Sequence, residues 1–188
     1  MNSDNKILVD GQEFKLLFGR KDILKKVYEF ANQIIRDYDH DSDLPVLLFV
    51  LTGGAYLGVD LSRALDQLGF QHIVDMVRLK RYDDDEKGGV VRIISPPSFL
   101  LANRDVIVVE DLIDEGKTMN FLHQYLKNLD QPPRTIEYCT LILKDSHGPL
   151  DFNVKYLAYS MGPNWVIGNG MDSKQFGRGL LNVYVKVE

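Results

Sequence analysis

The chain has 188 residues, with 22 Lys and Arg against 27 Asp and Glu and a formal net charge of −5. The length suits one well-buried domain, and hydrophobic and charged fractions of 45% and 26% are those of an ordinary globular protein. The acidic balance gives no electrostatic support to a nucleic-acid or anionic-membrane partner, and no apolar run approaches the roughly 18 residues of a membrane span.

The N-terminal run Met1-Asn2-Ser3-Asp4-Asn5 is polar and unlike a signal peptide. Ile7-Leu8-Val9, the turn residues Asp10-Gly11 and residues 14–18 predict a β-hairpin or extended arm. Helical spacing follows at Ile23, Leu24, Val27, Phe30, Ala31, Ile34 and Ile35, ending in the polar residues 37–43. After Pro45, the apolar run 46–51 reads as a strand buried on both faces. It leads directly into Thr52-Gly53-Gly54, where two glycines let the backbone crowd a ligand, and then a helix over about 55–68.

Residues 73–79 predict another strand. Residues 80–89 carry no apolar side chain apart from Tyr82, so they predict an exposed loop, and 90–94 return as a strand. Ser95-Pro96-Pro97-Ser98 is a break.

Val106-Ile107-Val108-Val109 predicts the central strand, expected to stop at the carboxylates Glu110 and Asp111. Asp114-Glu115-Gly116-Lys117-Thr118 follows, and apolar residues at Met119, Leu122, Leu126 and Leu129 predict a helix. A helix N-terminus presents unpaired N–H groups and partial positive charge, so this loop can hold a phosphate. Gly116 permits close approach and Thr118 adds a hydroxyl donor. Glu110 and Asp111 stand where a sugar's hydroxyls, or a magnesium ion attached to them, need acceptors. The nucleoside-triphosphate P-loop spacing is absent.

Pro132-Pro133 stops the chain before a strand at 135–143, which ends at Lys144. That strand contains the one cysteine, Cys139, read as a small buried hydrophobe; no intramolecular disulfide is possible, and a reducing compartment, the cytoplasm, is expected. Residues 154–159 predict a short strand, Gly162-Pro163-Asn164 a loop that leaves the face of Trp165 open for stacking, and 181–187 a last strand. The four histidines have no metal-ligand spacing. Alternating strand and helix patterns predict an α/β fold: a doubly wound, mainly parallel sheet with flanking helices.

The run Val109-Glu110-Asp111-Leu112-Ile113-Asp114-Glu115-Gly116-Lys117-Thr118 resembles the 5-phosphoribosyl pyrophosphate (PRPP) loop of the type I phosphoribosyltransferases. Within that group it is similar to the loop of the 6-oxopurine, or hypoxanthine-guanine, enzymes. The resemblance implies a single domain over 1–188, with a small hood from about 1–18 and 154–188 and a flexible lid over about 80–90 that carries Arg81 and Tyr82. It implies that Glu110, Asp111, Asp114, Glu115, Gly116, Lys117 and Thr118 bind PRPP, and that Asp114 takes the proton from N7 of the base. Thr52, Gly53 and Arg178 would contact pyrophosphate. Lys144 would read the purine 6-oxygen, Trp165 would stack on the base, the backbone of Val166 would read its edge, and Asp172 would stand near base and metal. Mg2+ would bind substrate oxygens with Asp172, Glu110 and Asp111, and the partners would be a 6-oxopurine, PRPP and further copies in a homodimer or homotetramer. Three positions depart from the family's pattern: Thr52 where a lysine is common, Arg81 where a small hydroxyl residue is common, and Gly179 where an aspartate often follows the arginine. A second reading is a non-catalytic regulator that keeps the pocket to sense PRPP or nucleotide; the acidic balance supplies no basic face for RNA. The choice among hypoxanthine, guanine and xanthine stays open.

Overall fold

The computed structural model describes residues 6–38, 43–82 and 89–187. Thirteen elements follow in the order β1 (Lys6–Val9), β2 (Gln12–Phe18), α1 (Arg20–Tyr38), β3 (Val46–Leu51), α2 (Gly54–Gln67), β4 (Ile73–Tyr82), β5 (Val90–Ser95), β6 (Asp105–Ile113), α3 (Lys117–Lys127), β7 (Thr135–Lys144), β8 (Val154–Met161), β9 (Val166–Ile167) and β10 (Val183–Lys186). A six-stranded sheet has the order β5-β4-β3-β6-β7-β8, and a four-stranded sheet the order β1-β2-β10-β9. In the large sheet β4, β3, β6, β7 and β8 run parallel, and only the edge strand β5 is antiparallel.

The apolar runs in β3 and β6 are continuous because both faces of these strands are covered. Leu47, Phe49, Ile107, Val109, Cys139 and Leu141 pack with Ile23, Val27, Phe30, Ala31 and Ile34 of α1 and Leu57, Leu61 and Leu65 of α2. Their neighbours Val46, Leu48, Val50, Val106 and Val108 point the other way, against Met119, Leu122 and Leu126 of α3. Burying each such side chain contributes roughly 1.5–3 kcal/mol, so the two layers fix the sheet between them. The small sheet joins the α1 side through Val166, Val183 and Val185.

Several boundaries differ from the sequence expectation. The central strand does not stop at the carboxylates: β6 runs to Ile113, since Glu110 pairs with Thr140, Leu112 with Ile142 and Ile113 with Leu143 of β7. Residues 80–82, expected in the loop, continue β4 because Lys80, Arg81 and Tyr82 pair with Arg92, Val91 and Val90. The rest of the expected lid up to residue 88, the N-terminal end of the expected hood, and most of the polar stretch after α1 lie outside the described residues. Residues 154–161 pair with β7 in the large sheet, so the C-terminal share of the small sheet begins at Val166.

The topology places an opening between β3 and β6. From β3 the chain crosses by α2 to β4 on one side, and from β6 it crosses by α3 to β7 on the other, with α2 and α3 on opposite faces. Such a reversal parts the two loops at the strands' carboxyl ends and makes the crevice where ligands bind in open α/β sheets.

Candidate active site

The crevice is built at close quarters. At the end of β3 the Leu51–Thr52 peptide is cis, Thr52 is exposed and Gly53 is buried. A Cβ on Gly53 would lie 2.3 Å from Oδ2 of Asp111, and one on Gly170 only 2.4 Å from the Gly53 carbonyl oxygen. Glycine at 53 is therefore what lets the β3 loop meet the β6 acids.

Glu110 and Asp111 are neighbours within β6 and line different cavities. Glu110 lines a cavity of about 530 Å³ that is otherwise formed by residues 112–119, Arg81 and Ser146. Asp111 lines an adjoining cavity of about 240 Å³ with Leu112, Asp114, Lys144, Trp165, Val166, Met171, Asp172 and Arg178. Leu112 and Asp114 belong to both. Both acids are buried, at 9% and 6% exposure, and burial raises the pKa of each; for Glu110, raised well above the ordinary range, the Asp111 charge adds to the effect. The Asp111 amide donates to Oε1 of Glu110 at 3.2 Å, and the Leu112 amide to Oδ1 of Asp111 at 3.0 Å. This pair holds its negative charge reluctantly and is suited to share hydrogen bonds with a polyhydroxyl ligand or to face a cation.

The larger cavity opens on the start of α3. Gly116 caps the helix at φ 79°, a left-handed conformation that glycine adopts without strain, and its carbonyl accepts the Asn120 amide at 2.8 Å. The amides of the first turn have no intrahelical acceptors and face where an anion would sit. Thr118 and Lys117 line the same space. Glu115 is exposed and accepts from Arg81 Nη1 at 2.9 Å, with Lys117 Nζ 3.2 Å away; these two cations, the Arg81 hydrogen bond first, hold its carboxyl below the usual range.

In the smaller cavity Lys144 is 3% exposed, and its Nζ donates to Oδ2 of Asp114 at 2.9 Å. The same ammonium lies 5.9 Å from the ring centroid of Trp165, which is 51% exposed, while Val166 is buried beside it. Arg178 pairs with Oδ1 of Asp172 and donates from Nη1 to the Gly170 carbonyl at 2.6 Å; Oδ2 of Asp172 accepts the Gln175 amide at 2.7 Å. A buried donor, an open aromatic face and a half-exposed carboxylate thus line the same cavity.

The structure brings Glu110, Asp111, residues 114–118, Lys144, Trp165, Val166, Asp172 and Arg178 around these two cavities, with Gly53 touching Asp111. Thr52 lines neither cavity. Arg81, expected in a lid, stands in β4 and lines the larger one, and Tyr82 ends that strand. Sequence reasoning passed over Leu112, Ile113, Met119, Ser146, Gly170 and Met171; each lies within two residues of a chosen position, but nothing in their chemistry marks them out.

Comparisons with known proteins bear on the family and the fold. The phosphoribosyl transferase domain matches residues 18–173. The chain belongs to the phosphoribosyltransferase family. Among curated relatives, a hypoxanthine-guanine phosphoribosyltransferase of Aquifex aeolicus is 28% identical over 94% of this chain and 97% of its own length. A hypoxanthine-guanine-xanthine phosphoribosyltransferase of Tritrichomonas foetus is 31% identical over 84% of this chain and 83% of its own. Among solved structures, the hypoxanthine phosphoribosyltransferase of Trypanosoma cruzi superposes with a TM-score of 0.83 at 26% identity, covering 92% of this chain and 91% of that one. A Staphylococcus aureus hypoxanthine phosphoribosyltransferase, at 23% identity and a TM-score of 0.82, shares the fold over 92% of this phosphoribosyltransferase and 91% of its own chain.

Proposed function

We propose that this phosphoribosyltransferase works in purine salvage, converting hypoxanthine or guanine and PRPP to IMP or GMP and pyrophosphate. The observation that carries the reading is the shared wall of the two cavities. Asp114 stands between a helix start suited to a 5'-phosphate and a slot where a buried lysine faces a tryptophan.

The α3 first turn, with the Thr118 hydroxyl, holds the 5'-phosphate, and Glu110 and Asp111 take the ribose hydroxyls. The base lies against Trp165, where stacking is worth about 1–3 kcal/mol. Lys144 donates to its 6-oxygen, and the Val166 backbone meets its edge. An ammonium cannot accept from a 6-amino group, so adenine leaves a buried charge unpaired; mismatches of this kind discriminate by roughly 10⁴-fold. Once Lys144 turns to the base, Asp114 is released to take the N7 proton. The electrons so freed let N9 bond to C1', and the C1'–oxygen bond breaks with its pair leaving on pyrophosphate. Thr52, Gly53 and Arg178 receive the leaving group.

Among the described residues no group of three or more His, Cys, Asp or Glu forms a ready-made metal site. What supports magnesium is the partly exposed Asp172 in the smaller cavity beside Asp111, a lone protein carboxylate of the sort that serves magnesium when substrate oxygens and water fill most of its shell. Bound so, magnesium would neutralise charge on the departing pyrophosphate. Glu110 and Asp111, buried and reluctant to ionise, would gain from a nearby cation.

No helix among the described residues is long and apolar enough to cross a membrane. Cys139 is buried and burial pushes its thiol pKa up, which agrees with a reduced structural cysteine and a cytoplasmic setting. A homodimer or homotetramer is the assembly we propose, to be read by sedimentation. Turnover assays with hypoxanthine, guanine, xanthine and adenine test the function; binding of PRPP with no nucleotide formed from any base would leave only a regulator.

A further inference from the structure

We propose that Arg81 is itself a ligand of the substrate's phosphate groups, tethered by Glu115 until substrate arrives. The inference rests on the reading of the larger cavity as the PRPP site and adds to it a cation that comes from β4.

The starting point is charge. PRPP brings a phosphate and a diphosphate into a cavity whose walls carry Glu110, Asp114 and Glu115. Among the described residues the cationic side chains lining that cavity are Arg81 and Lys117, and both converge on the carboxylate of Glu115, at 2.9 and 3.2 Å. Elsewhere in the site Lys144 is engaged by Asp114 and Arg178 by Asp172 and the Gly170 carbonyl, while the end of β3 carries the uncharged Thr52. A cation that changes partner adds to the helix start and to magnesium in meeting the substrate's charge, and Arg81 is placed to do so.

Its backbone is fixed, since Arg81 pairs with Val91 in the β4–β5 ladder. Its side chain spans from β4 to the phosphate loop, 34 positions on, with 39% exposure against 51% for Glu115. A pair this open to water is weak and readily exchanged. A phosphate offers the guanidinium fork more charge and better-matched oxygens than a single carboxylate oxygen does. In this account Glu115 does not touch the substrate: it keeps Arg81 and Lys117 extended over an otherwise repulsive cavity and yields them when phosphate enters.

The test is a binding cycle on the full-length protein, with PRPP, inorganic pyrophosphate and GMP titrated into wild type, R81Q, R81K, E115Q and R81Q/E115Q by calorimetry. Guanosine, which lacks phosphate, is the control, and a melting curve checks each fold. R81Q should weaken PRPP roughly 10- to 100-fold, the scale of one charge-assisted contact, and leave guanosine unchanged. R81K should recover part of the loss. E115Q should tighten PRPP about 2- to 5-fold, and that gain should shrink in the R81Q background, because part of it consists of removing a carboxylate that competes with phosphate for Arg81. PRPP binding within twofold of wild type in a folded R81Q would overturn the proposal, as would an equal gain from E115Q with and without Arg81, the mark of simple repulsion. A wild type that fails to bind PRPP or GMP at all sinks the assignment of the cavity and the proposal with it.

Discussion

Asp114→Asn separates chemistry from structure at the wall between the two cavities. The substitution keeps the shape of the side chain and removes both its charge and its capacity to take a proton. In the folded protein its Oδ2 is 2.9 Å from the ammonium of Lys144, whose side chain is 4% exposed against 47% for Asp114. Removing one partner of a fully buried pair costs about 3–5 kcal/mol. Here the carboxylate is half in solvent and the amide oxygen of Asn can still accept, so the cost should fall to about 1 kcal/mol. In a chain of this size that lowers Tm by roughly 2–4 °C. Loss of a positioned proton acceptor costs roughly 10²–10⁴-fold in rate, equivalent to about 2.7–5.5 kcal/mol of barrier. The catalytic effect should thus be several times the structural one. Steady-state assays with hypoxanthine and guanine, alongside calorimetric melting, should show kcat down by that factor in a protein that melts a few degrees early. Turnover near wild type would refute the role of Asp114, and a collapse of Tm with a proportionate loss of activity would make it a structural partner of Lys144.

Other substitutions probe the remaining parts. Lys144→Gln, which can both donate and accept, should lower kcat/KM for hypoxanthine at least 100-fold while relaxing discrimination against adenine; an unchanged ratio of the two bases would remove Lys144 from base recognition. Gly116→Ala forces a Cβ into the left-handed region at φ 79° and within 2.4 Å of Leu150 Cδ2, so about 1–2 kcal/mol of stability and a raised KM for PRPP are expected from melting and kinetics. Glu110 has a raised pKa in the folded state, so between its unfolded and folded values the folded protein binds the extra proton and stability falls as pH rises. Glu110→Gln should therefore raise the Tm of the ligand-free protein at pH 8, with the gain closing toward pH 4.5; a gain independent of pH would contradict it. Magnesium alone should leave Tm unchanged, and should raise it only with PRPP or pyrophosphate present; a rise with magnesium alone would show a metal site complete without substrate.

The buried strands were legible because two covered faces demand unbroken apolar runs, as in residues 46–51 and 106–109. The acids after the second run misled, since consecutive carboxylates look like a strand's end. Pairing with β7 overrides that local signal and carries β6 three residues past Glu110. Residues 80–82 misled for the same reason, because a polar strand end can be held by a neighbour, here β5, that composition does not reveal. In the site, residues with strong chemistry at strand ends, such as Lys144, were readable one at a time. Which of them touch was not: no local pattern shows that Arg178 would turn to Asp172 and the Gly170 carbonyl, or that Arg81 would reach Glu115.

A different contact, Lys144 to Asp114, does follow from the sheet. Ile113 pairs with Leu143 in the parallel ladder of β6 and β7, so the next residue on each strand, Asp114 and Lys144, emerges side by side at the ligand edge. Apolar residues beneath them hold that register: Val106, Val108 and Ile113 fit the α3 side, and Ile107 and Val109 the other. A slip of one residue would turn each apolar set toward the wrong face, and with it set Asp114 away from Lys144. The core therefore does more than stabilise this protein. It fixes, through strand register, that Lys144 stands against Asp114, and the close approach at Gly53 brings the end of β3 to the same edge.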